Sequence, residues 1–272
     1  MEAIKKLYTK NTELSEKKEA PEMNRYEGKV VLITGAGDVT QATSARLLQE
    51  GAKIALLDYS KKALEEAVQQ LADEGYPTGN IMSLPCNVCK MGECEAVTNK
   101  VVEKWSRIDT LVVTAGITRH CSIDEMSDED WQAVIDVNLT GVFHSVKSVV
   151  PIMKKQRQGH IVLISSIGGR TGRPGVGVNY AASKAGVNGM AMNLAYALGP
   201  WNINVNSIAP GPLKGRMFLT MKPEQVEKLS SGCPLGRIGE MSDIAAAIAY
   251  LGSDEASWTT GEVLDVNGGL QF

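Results

Sequence analysis

The stretch that decides the fold is K-V-V-L-I-T-G-A-G, residues Lys29–Gly37. Its apolar run ends at a glycine, as expected of a buried parallel strand that enters a tight turn. A helical pattern follows over Gln41–Glu50, and a second apolar run covers Lys53–Leu57. A strand, a Gly-rich turn, a helix and a strand form the unit that binds dinucleotides in open α/β sheets. The sequence therefore predicts such a unit here.

Two features of this unit indicate how it would hold a dinucleotide. The free N–H groups and the dipole at a helix start favour an anion such as a pyrophosphate. Asp58 follows the second strand and lies 58 minus 35, or 23, residues after Gly35. A carboxylate at this spacing hydrogen-bonds the ribose 2′-OH and repels a 2′-phosphate, which favours NAD over NADP. The alternative role for Asp58 is the N-cap of a helix that begins near Ser60.

The alternation of strands and helices continues to the end of the chain. It predicts an α/β protein, a single-domain Rossmann-like doubly wound fold with a seven-stranded parallel sheet. Ligands of such sheets bind beyond the carboxyl ends of the strands. The remaining predicted strands are Asn80–Leu84, Thr110–Val113, His160–Ile164, Ile203–Ile208 and Glu262–Asp265. The predicted helices are Ser60–Glu74, Met91–Trp105, Ser127–Lys155, Asn179–Leu198, Met217–Ser231 and Ser242–Leu251.

Composition and charge exclude several classes of function. The 272 residues carry 28 basic and 31 acidic side chains, a net charge of −3, which gives no support for nucleic-acid binding. No apolar run is long enough to span a bilayer. Residues 1–27 are rich in Lys and Glu without an apolar core, so we expect an N-terminal extension, mobile or partner-bound, and no secretory signal. Residues 28–272 form the predicted domain.

The cysteines and histidines do not predict a metal site. Five cysteines at irregular spacing suit a reducing cytoplasm, where we expect the protein to be. Cys86 and Cys89 form one C-x-x-C pair with Cys94 nearby, but no second pair or histidine cluster completes a zinc site. His120 and His144 have no partners at metal-binding spacing.

The segment Ser165–Lys184 carries the chemistry. Tyr180 and Lys184 are four residues apart, so on a helix they leave the same face. A nearby ammonium favours the phenolate, so we expect Lys184 to lower the pKa of Tyr180 from its usual value of about 10. Tyr180 could then exchange a proton with an alcohol or carbonyl oxygen, and the hydroxyl of Ser166 could hydrogen-bond the same oxygen. The alternative is that this pair is an ordinary feature of a helix surface.

Several short motifs follow one another in a specific order and spacing. They are Thr34-Gly35-Ala36-Gly37, Asp109 before an apolar strand, Ala115-Gly116, Asp136-Val137-Asn138-Leu139-Thr140-Gly141, Ile164-Ser165-Ser166, Tyr180-x-x-x-Lys184 and Asn206-Ser207-Ile208-Ala209-Pro210-Gly211. Through them, the chain resembles the classical short-chain dehydrogenase/reductase family over residues 27 to 272.

The resemblance implies a catalytic tetrad of Asn138, Ser166, Tyr180 and Lys184. Tyr180 would be the acid/base, and Ser166 would orient the substrate oxygen. Lys184 would bind the nicotinamide ribose, and Asn138 would place a water in a proton relay to Lys184. Asn138 could also be a structural amide that interrupts a helix, and Ser165 is the alternative to Ser166.

The resemblance also implies a nicotinamide cofactor, which Asp58 predicts to be NAD, but four elements depart from the family pattern. Asp38-Val39-Thr40 replaces a segment with two glycines and is one residue short; Thr114 replaces an Asn, Asn87 an Asp and Gly215 a Thr. These changes indicate a reshaped NAD pocket. The predicted cofactor-binding residues are Gly35, Gly37, Asp38, Val39, Thr40, Asp58, Asn87, Val88, Ala115, Gly116, Tyr180, Lys184, Pro210, Gly211 and Leu213.

The substrate region predicted from the resemblance is basic, with few bulky apolar groups. Arginine recognises anionic groups through its planar fork, so we expect a small polar hydroxy compound, either anionic or a polyol. Alternatively, these basic groups are solvated or form salt bridges between subunits. The predicted substrate residues are Arg119, His120, Ser166, Gly168, Arg173, Asn179 and Arg216, and Arg170 and Lys214 add to the basic character.

The predicted activity is NAD-dependent interconversion of a secondary alcohol and a ketone on a small-molecule substrate. Two alternatives remain. One is a 3-oxoacyl thioester reductase, which would prefer an apolar channel and NADPH; the other is a catalytically silent nucleotide-binding or scaffold protein. The resemblance further implies a homotetramer built on the helices Ser127–Lys155 and Asn179–Leu198.

Overall fold

A computed structural model describes residues 24–172, 175–215, 227 and 230–270. In these ranges a seven-stranded parallel sheet has the strand order β3-β2-β1-β4-β5-β6-β7, which confirms the predicted doubly wound fold. The strands are β1 (Val30–Thr34), β2 (Lys53–Asp58), β3 (Ile81–Pro85), β4 (Thr110–Val113), β5 (Gly159–Ile164), β6 (Ile203–Pro210) and β7 (Val263–Val266).

Eight α-helices are described on the two faces of the sheet. They are α1 (Asp38–Gln49), α2 (Lys61–Asp73), α3 (Met91–Trp105), α4 (Asp128–Ile135), α5 (Gly141–Gln156), the one-turn α6 (Gly168–Thr171), α7 (Val178–Leu198) and α8 (Met241–Leu251). Short 3₁₀ turns cover Thr78–Asn80, Gly199–Trp201 and Asp254–Ala256. Most of the predicted helix Met217–Ser231 lies outside the described residues.

The strands at the centre of the sheet are buried on both faces, which explains their continuous apolar runs. One apolar core packs α3, α5 and α7 against the sheet, and the other packs α1, α2 and α8 against the opposite face. The strand order reverses between β1 and β4, so their carboxyl ends open a crevice of the kind in which ligands of these folds bind.

The predicted helix Ser127–Lys155 is interrupted. A π-turn over Asp136–Thr140 separates α4 from α5. An extra residue in one turn bulges the helix and redirects the side chains within it. The helical periodicity of the sequence did not predict this π-turn. The alternative role considered for Asn138, a structural amide that interrupts a helix, matches its position.

The packed part of the chain begins ahead of the predicted boundary between residues 27 and 28. Tyr26 is 1% exposed, and its hydroxyl donates to the carbonyl of Ala249 at 3.0 Å. The neighbouring Arg25 pairs with Glu50 at 2.6 Å and with Glu255 at 2.9 Å. These residues therefore belong to the domain, because they fill its core and pair with its buried carboxylate.

Candidate active site

A cleft of about 600 Å³ lies at the carboxyl ends of β1, β4, β5 and β6. The loops after these strands and the first turn of α7 supply its walls, so the parallel sheet brings together residues that are far apart in sequence. Of the predicted residues, those that line it are Asp38, Val39, Gly116, His120, Ser166, Tyr180, Lys184, Pro210, Gly211 and Leu213.

Tyr180 and Ser166 face each other across this cleft. Tyr180 lies in the first turn of α7, and Ser166 lies just beyond β5. Burial raises the pKa of Tyr180, and a hydrogen bond with Ser166 opposes that shift. The two hydroxyls can therefore bind one oxygen atom between them, with Tyr180 kept as the neutral donor.

Lys184 is one turn further along α7, as predicted, but its ammonium group is aimed elsewhere. Its Nζ donates to the carbonyl of Ile164 at 2.7 Å and lies 5.8 Å from the centre of the Tyr180 ring. Burial lowers the pKa of Lys184 to about 8. The expected lowering of the Tyr180 pKa by Lys184 is wrong for this arrangement, because burial of the phenol dominates and raises that pKa.

The structure separates the two adjacent serines. Ser165 is 2% exposed, and its hydroxyl donates to the carbonyl of Lys184 at 3.0 Å. Ser166 instead accepts from the amide of Gly168 at 3.0 Å and shares a hydrogen bond with Tyr180. Ser165 thus ties β5 to α7, whereas Ser166 is the serine that faces the reactive phenol.

Asn138 sits in the π-turn and is fully buried. Its Oδ1 accepts from the amide of Ile117 at 2.8 Å, and its Nδ2 donates to the carbonyl of the same residue at 3.0 Å. The Nδ2 group also lies 3.3 Å from the hydroxyl of Ser183 on α7. Asn138 therefore fixes the loop after β4 against α7, which is the structural role considered from the sequence.

The glycine turn after β1 is tight. Gly35 has a φ of +89°, and a Cβ there would lie 2.9 Å from Thr114 Oγ1. The helix α1 begins at once, with Gly37 as N-cap and Asp38 as first residue. Val39 is consequently helical, and the positive φ that it would resist is not required of it. The predicted start at Gln41 was late because the Asp-Val-Thr segment carries no apolar helical pattern.

Asp58 ends β2 and is half-buried beside this turn. One carboxylate oxygen accepts from the amide of Ala36 at 2.8 Å, and the other accepts from the amide of Ser60 at 2.8 Å. Ser60 is the N-cap of α2, since its hydroxyl accepts from the amide of Ala63. These two bonds hold the carboxylate in a fixed orientation at the edge of the crevice. The N-cap of α2 is Ser60 and not Asp58.

Two predicted cofactor residues lie on the loop after β3, outside the cleft. Asn87 Oδ1 accepts from the amide of Cys89 at 3.0 Å. Val88 is 8% exposed, and its carbonyl is 3.0 Å from Nδ1 of His144. The side chain of Asn87 therefore stabilises its own loop through an Asx turn, a hydrogen bond to the backbone two residues further on. The sequence analysis did not consider this role.

The predicted substrate residues divide into several groups. His120 and Ser166 line the cleft, and Gly168 lies directly behind Ser166. Arg119 is exposed and lies 3.8 Å from Asp130. Arg173 and Arg216 lie outside the described residues.

Asn179 and Arg170 do not fit the predicted anion-binding surface. Asn179 is fully buried, and its Nδ2 donates to the carbonyls of Arg119 and Asp130. Arg170 is paired with Asp265 at 3.1 Å. The Oδ1 of Asn179 accepts from the amide of Tyr180 at 2.7 Å, so both polar ends of this amide hold backbone. Neither Asn179 nor Arg119 lines the described cleft.

Apolar walls are a feature of the cleft that the sequence predicted only in part, since Leu213 alone among these residues was a predicted site residue. They come from loops after β4, β5 and β6 and from the start of α8, where no periodic pattern marks them. The cleft can therefore take an apolar chain next to its hydroxyls. The residues are Ile117, Ile167, Val176, Pro212, Leu213, Ile238 and Met241.

No group of three or more His, Cys, Asp or Glu residues could hold a metal ion within the described ranges. Cys86 and Cys94 are both buried, with their Sγ atoms 4.0 Å apart. This distance is that of two packed thiols.

Comparison with known proteins agrees with the fold. A family model described as enoyl-(acyl carrier protein) reductase matches residues 36–271. The chain is 45% identical over 247 residues to the 3-oxoacyl-[acyl-carrier-protein] reductase FabG of Thermotoga maritima, covering 90% of this chain and 99% of the relative. It is 37% identical over 246 residues to the FabG of Escherichia coli, covering 90% and 98%. The chain belongs to the short-chain dehydrogenase/reductase family, and it is an oxidoreductase of that family.

Solved structures agree with this assignment. A 3-oxoacyl-[acyl-carrier protein] reductase from Brucella melitensis superposes with a TM-score of 0.84 at 30% identity, covering 93% of this chain and 96% of the other. Levodione reductase superposes with a TM-score of 0.84 at 33% identity, covering 90% and 98%. Over the ranges that the structure describes, no helix has the length and apolarity needed to cross a bilayer.

Proposed function

We propose that this protein interconverts a 3-oxoacyl thioester and the corresponding 3-hydroxyacyl thioester with NAD(H) as cofactor. The carrying observation is a cleft in which two hydroxyls, those of Tyr180 and Ser166, meet beneath walls that are mainly apolar. Hydroxyls that converge on one point suit a carbonyl oxygen, and apolar walls suit an acyl chain. The relatives named 3-oxoacyl reductases support the same substrate class.

The small polar or anionic substrate expected from the sequence has less support. That expectation rested on arginines around the cleft. Arg170 pairs with Asp265 and Arg119 lies 3.8 Å from Asp130, and neither residue lines the cleft. The described wall of the cleft is mainly apolar, with Asp38 and Lys184 as its charged side chains, which supports an uncharged acyl group more than an anion.

The residues present fit a nicotinamide dinucleotide. The Asp58 carboxylate would bind the adenosine ribose, and the amides at the start of α1 would face the pyrophosphate. Gly35 lies so close to Thr114 that a side chain at position 35 would clash with it. Lys184 and Tyr180 would bind the nicotinamide ribose. The bound cofactor supplies or accepts the hydride.

The protein's own groups would handle the oxygen. Ser166 would hold the keto oxygen of the substrate, and Tyr180 would donate a proton to it as the alcohol forms. Because burial keeps the Tyr180 pKa above its usual value, the phenol is protonated and ready to donate at neutral pH. Fixed positions of these two groups contribute orientation as well as proton transfer.

The preference for NAD(H) over NADP(H) follows from Asp58. Its carboxylate is fixed by the amides of Ala36 and Ser60, so it cannot swing away from a 2′-phosphate without losing both bonds. The proposal thus combines a 3-oxoacyl thioester substrate with NAD(H) as cofactor. The sequence analysis had instead expected a thioester reductase to prefer NADPH.

The test uses purified full-length protein, a 3-oxobutanoyl thioester and either NADH or NADPH, followed by loss of reduced-nicotinamide absorbance. We expect turnover with NADH and kcat/KM for NADPH lower by at least about tenfold, the scale of about 1.4 kcal/mol. Binding of NADH without reduction of 3-oxoacyl thioesters of any chain length would overturn the substrate class. Equal kcat/KM for both cofactors would overturn the role of Asp58.

We also propose a homotetramer built on α5 and α7. Phe143 on α5 is 48% exposed, and Met192 and Tyr196 on α7 are 45% and 88% exposed. Apolar groups of this size on neighbouring helices favour burial between subunits. Light scattering of the wild type should give four times the monomer mass, and Tyr196→Glu should lower it. A monomer at micromolar concentration would contradict this assembly.

A further inference from the structure

His120 stands on the loop after β4, in the same cleft as Tyr180. The centres of the two rings are 6.0 Å apart, with an angle of 67° between their planes. The imidazole is exposed at the cleft wall, whereas Tyr180 is half-buried. His120 therefore lies beside the place where Tyr180 and Ser166 would hold a keto oxygen.

The protein selects one form of this imidazole. The backbone amide of Gly177 donates to Nδ1 of His120 at 3.0 Å. An amide can only donate, so Nδ1 must present its lone pair, and the neutral ring carries its proton on Nε2. In the described part of the chain, this Nε2–H has no hydrogen-bond partner. It is a neutral donor available to a ligand.

The position of the ring is set by the helix that carries Tyr180. Gly177 is the N-cap of α7, and a Cβ at this residue would lie 2.9 Å from the carbonyl of Arg119. Asn179 Nδ2 donates to that same carbonyl at 3.2 Å. The start of α7 thus holds the backbone before His120 and one nitrogen of its ring. Because α7 also carries Tyr180, the start of this helix fixes the distance between the rings of His120 and Tyr180.

We propose that the Nε2–H of His120 binds the second carbonyl oxygen of the substrate, the thioester oxygen of a 3-oxoacyl group. This inference rests on the proposed function and deepens it. A 1,3-dicarbonyl presents two acceptor oxygens on neighbouring sides of one short chain. Tyr180 and Ser166 take the keto oxygen, and His120 takes the thioester oxygen. A neutral donor suits this uncharged acceptor, while the nearest cation of the loop, Arg119, is directed to Asp130.

This contact makes His120 a specificity-determining residue. A substrate without the second carbonyl leaves Nε2–H without its acceptor, so it gains less from binding in the cleft. A neutral hydrogen bond of this kind is worth about tenfold at the upper end of its usual range. The structure thereby assigns to His120 the distinction between a 3-oxoacyl thioester and a simple ketone.

The experiment compares two substrates with three variants. One substrate is a 3-oxobutanoyl thioester; the other is the matched 3-oxobutyl thioether, in which a methylene replaces the thioester carbonyl. His120→Phe keeps a ring but removes the donor, and His120→Gln supplies an amide donor near the position of Nε2. Ser122→Ala is the control, since it alters the exposed side of the same loop. NADH affinity and Tm are measured for each variant.

We expect His120→Phe to lower kcat/KM for the thioester by about tenfold and to leave the thioether within about twofold. His120→Gln should recover most of the loss, and Ser122→Ala should change neither substrate. An equal effect of His120→Phe on both substrates, or on neither, would overturn the inference while the proposed function stands. A wild-type enzyme that binds NADH but reduces neither substrate would overturn the substrate class, and this inference with it.

Discussion

The hydroxyl oxygens of Thr40 and Thr114 lie 2.6 Å apart beneath the glycine turn. Thr114 Oγ1 donates its only proton to the carbonyl of Thr34 at 2.5 Å. Thr40 must therefore be the donor to Thr114, which makes an ordered chain from α1 through the end of β4 to the end of β1. Thr40 is 1% exposed, so its side chain turns under the loop and away from the cleft.

This order predicts unequal effects for two matched substitutions. Thr114→Val removes a donor from Thr34 and an acceptor from Thr40, so it should lower the free energy of unfolding by about 1–3 kcal/mol. Thr40→Val removes only a donor and should cost about 0.5–1.5 kcal/mol. Urea unfolding of both singles and the double should show a coupling of about 1 kcal/mol.

NADH titration separates positioning of the loop from general stability. We expect both valine variants to weaken NADH binding, because the chain orients the turn between β1 and α1. Thr98→Val is the control, since its buried hydroxyl bonds Ser148 at 3.0 Å away from the cleft. It should lower stability and leave the Kd of NADH unchanged. Additive losses in stability, or an equal rise in Kd for Thr98→Val, would contradict this role.

Tyr180→Phe tests the acid/base. The substitution keeps the ring but removes the hydroxyl, so turnover should fall by at least about a hundredfold. The Kd of NADH should change by less than about threefold, because the phenol would contribute only one neutral hydrogen bond to the cofactor, the one to the nicotinamide ribose. Ser166→Ala should retain more activity than Tyr180→Phe, since water can replace an orienting donor but not the positioned acid. Comparable turnover in Tyr180→Phe and the wild type would exclude Tyr180 from the chemistry.

Asp58→Asn tests the cofactor preference. The change removes the negative charge that would repel a 2′-phosphate, so the ratio of kcat/KM for NADH to that for NADPH should fall by about tenfold. Asp73→Asn makes the same charge change at an exposed end of α2 and serves as control. An unchanged ratio in Asp58→Asn would mean that another part of the site selects the cofactor.

Asp38 tests the altered glycine segment. As first residue of α1, its carboxylate stabilises the helix dipole, but it also lies where the amides would face a pyrophosphate. Asp38→Asn should therefore bind NADH about fivefold more tightly, for a repulsion of roughly 1 kcal/mol. The same substitution should lower stability by about 0.3–1 kcal/mol. Calorimetry and urea unfolding measure the two effects, and weaker binding by Asp38→Asn would show that the carboxylate assists the cofactor.

The fold could be predicted because its signal is local and repeated. Each buried strand is a continuous apolar run, and each run ends near a glycine or a polar residue. The helix Met91–Trp105 and the strand Thr110–Val113 have the predicted limits. The π-turn at Asn138 could not be predicted from periodicity, and the amide of Ile117, which donates to Asn138 Oδ1 there, is distant in the sequence.

The sequence shows each departure from the family's cofactor-binding pattern, but it does not show which of the changed residues contact each other. Thr40 meets Thr114, and a Cβ at Gly215 would lie 2.8 Å from Asp38 Oδ2. Three of the four departures are therefore in contact, because the segment Asp38-Val39-Thr40 lies against both Thr114 and Gly215. The partner of a basic group is equally hidden in the sequence: Arg119 lies 3.8 Å from Asp130 on another element.

His160 provides a test far from the cleft, at the amino end of β5. Burial lowers its pKa, against the opposing effect of Asp254, whose Oδ1 lies 3.2 Å from Nε2. Lys29 and Asp109 are the other charged groups that act on it. The native state therefore holds a neutral imidazole, whereas the unfolded chain takes up a proton below a pH of about 6.5.

Stability should consequently be lost as the pH falls through this value, because the unfolded state binds more protons there. Between about pH 7.5 and 5.5, the histidine should contribute a loss of up to about 1.4 kcal/mol, one pH unit below the unfolded pKa. Urea unfolding of wild type and His160→Gln at both pH values isolates this contribution from that of the carboxylates. The variant should lose less stability over the interval than the wild type. Parallel losses would mean that the pKa of His160 is the same in the native and the unfolded state, so that burial does not lower it.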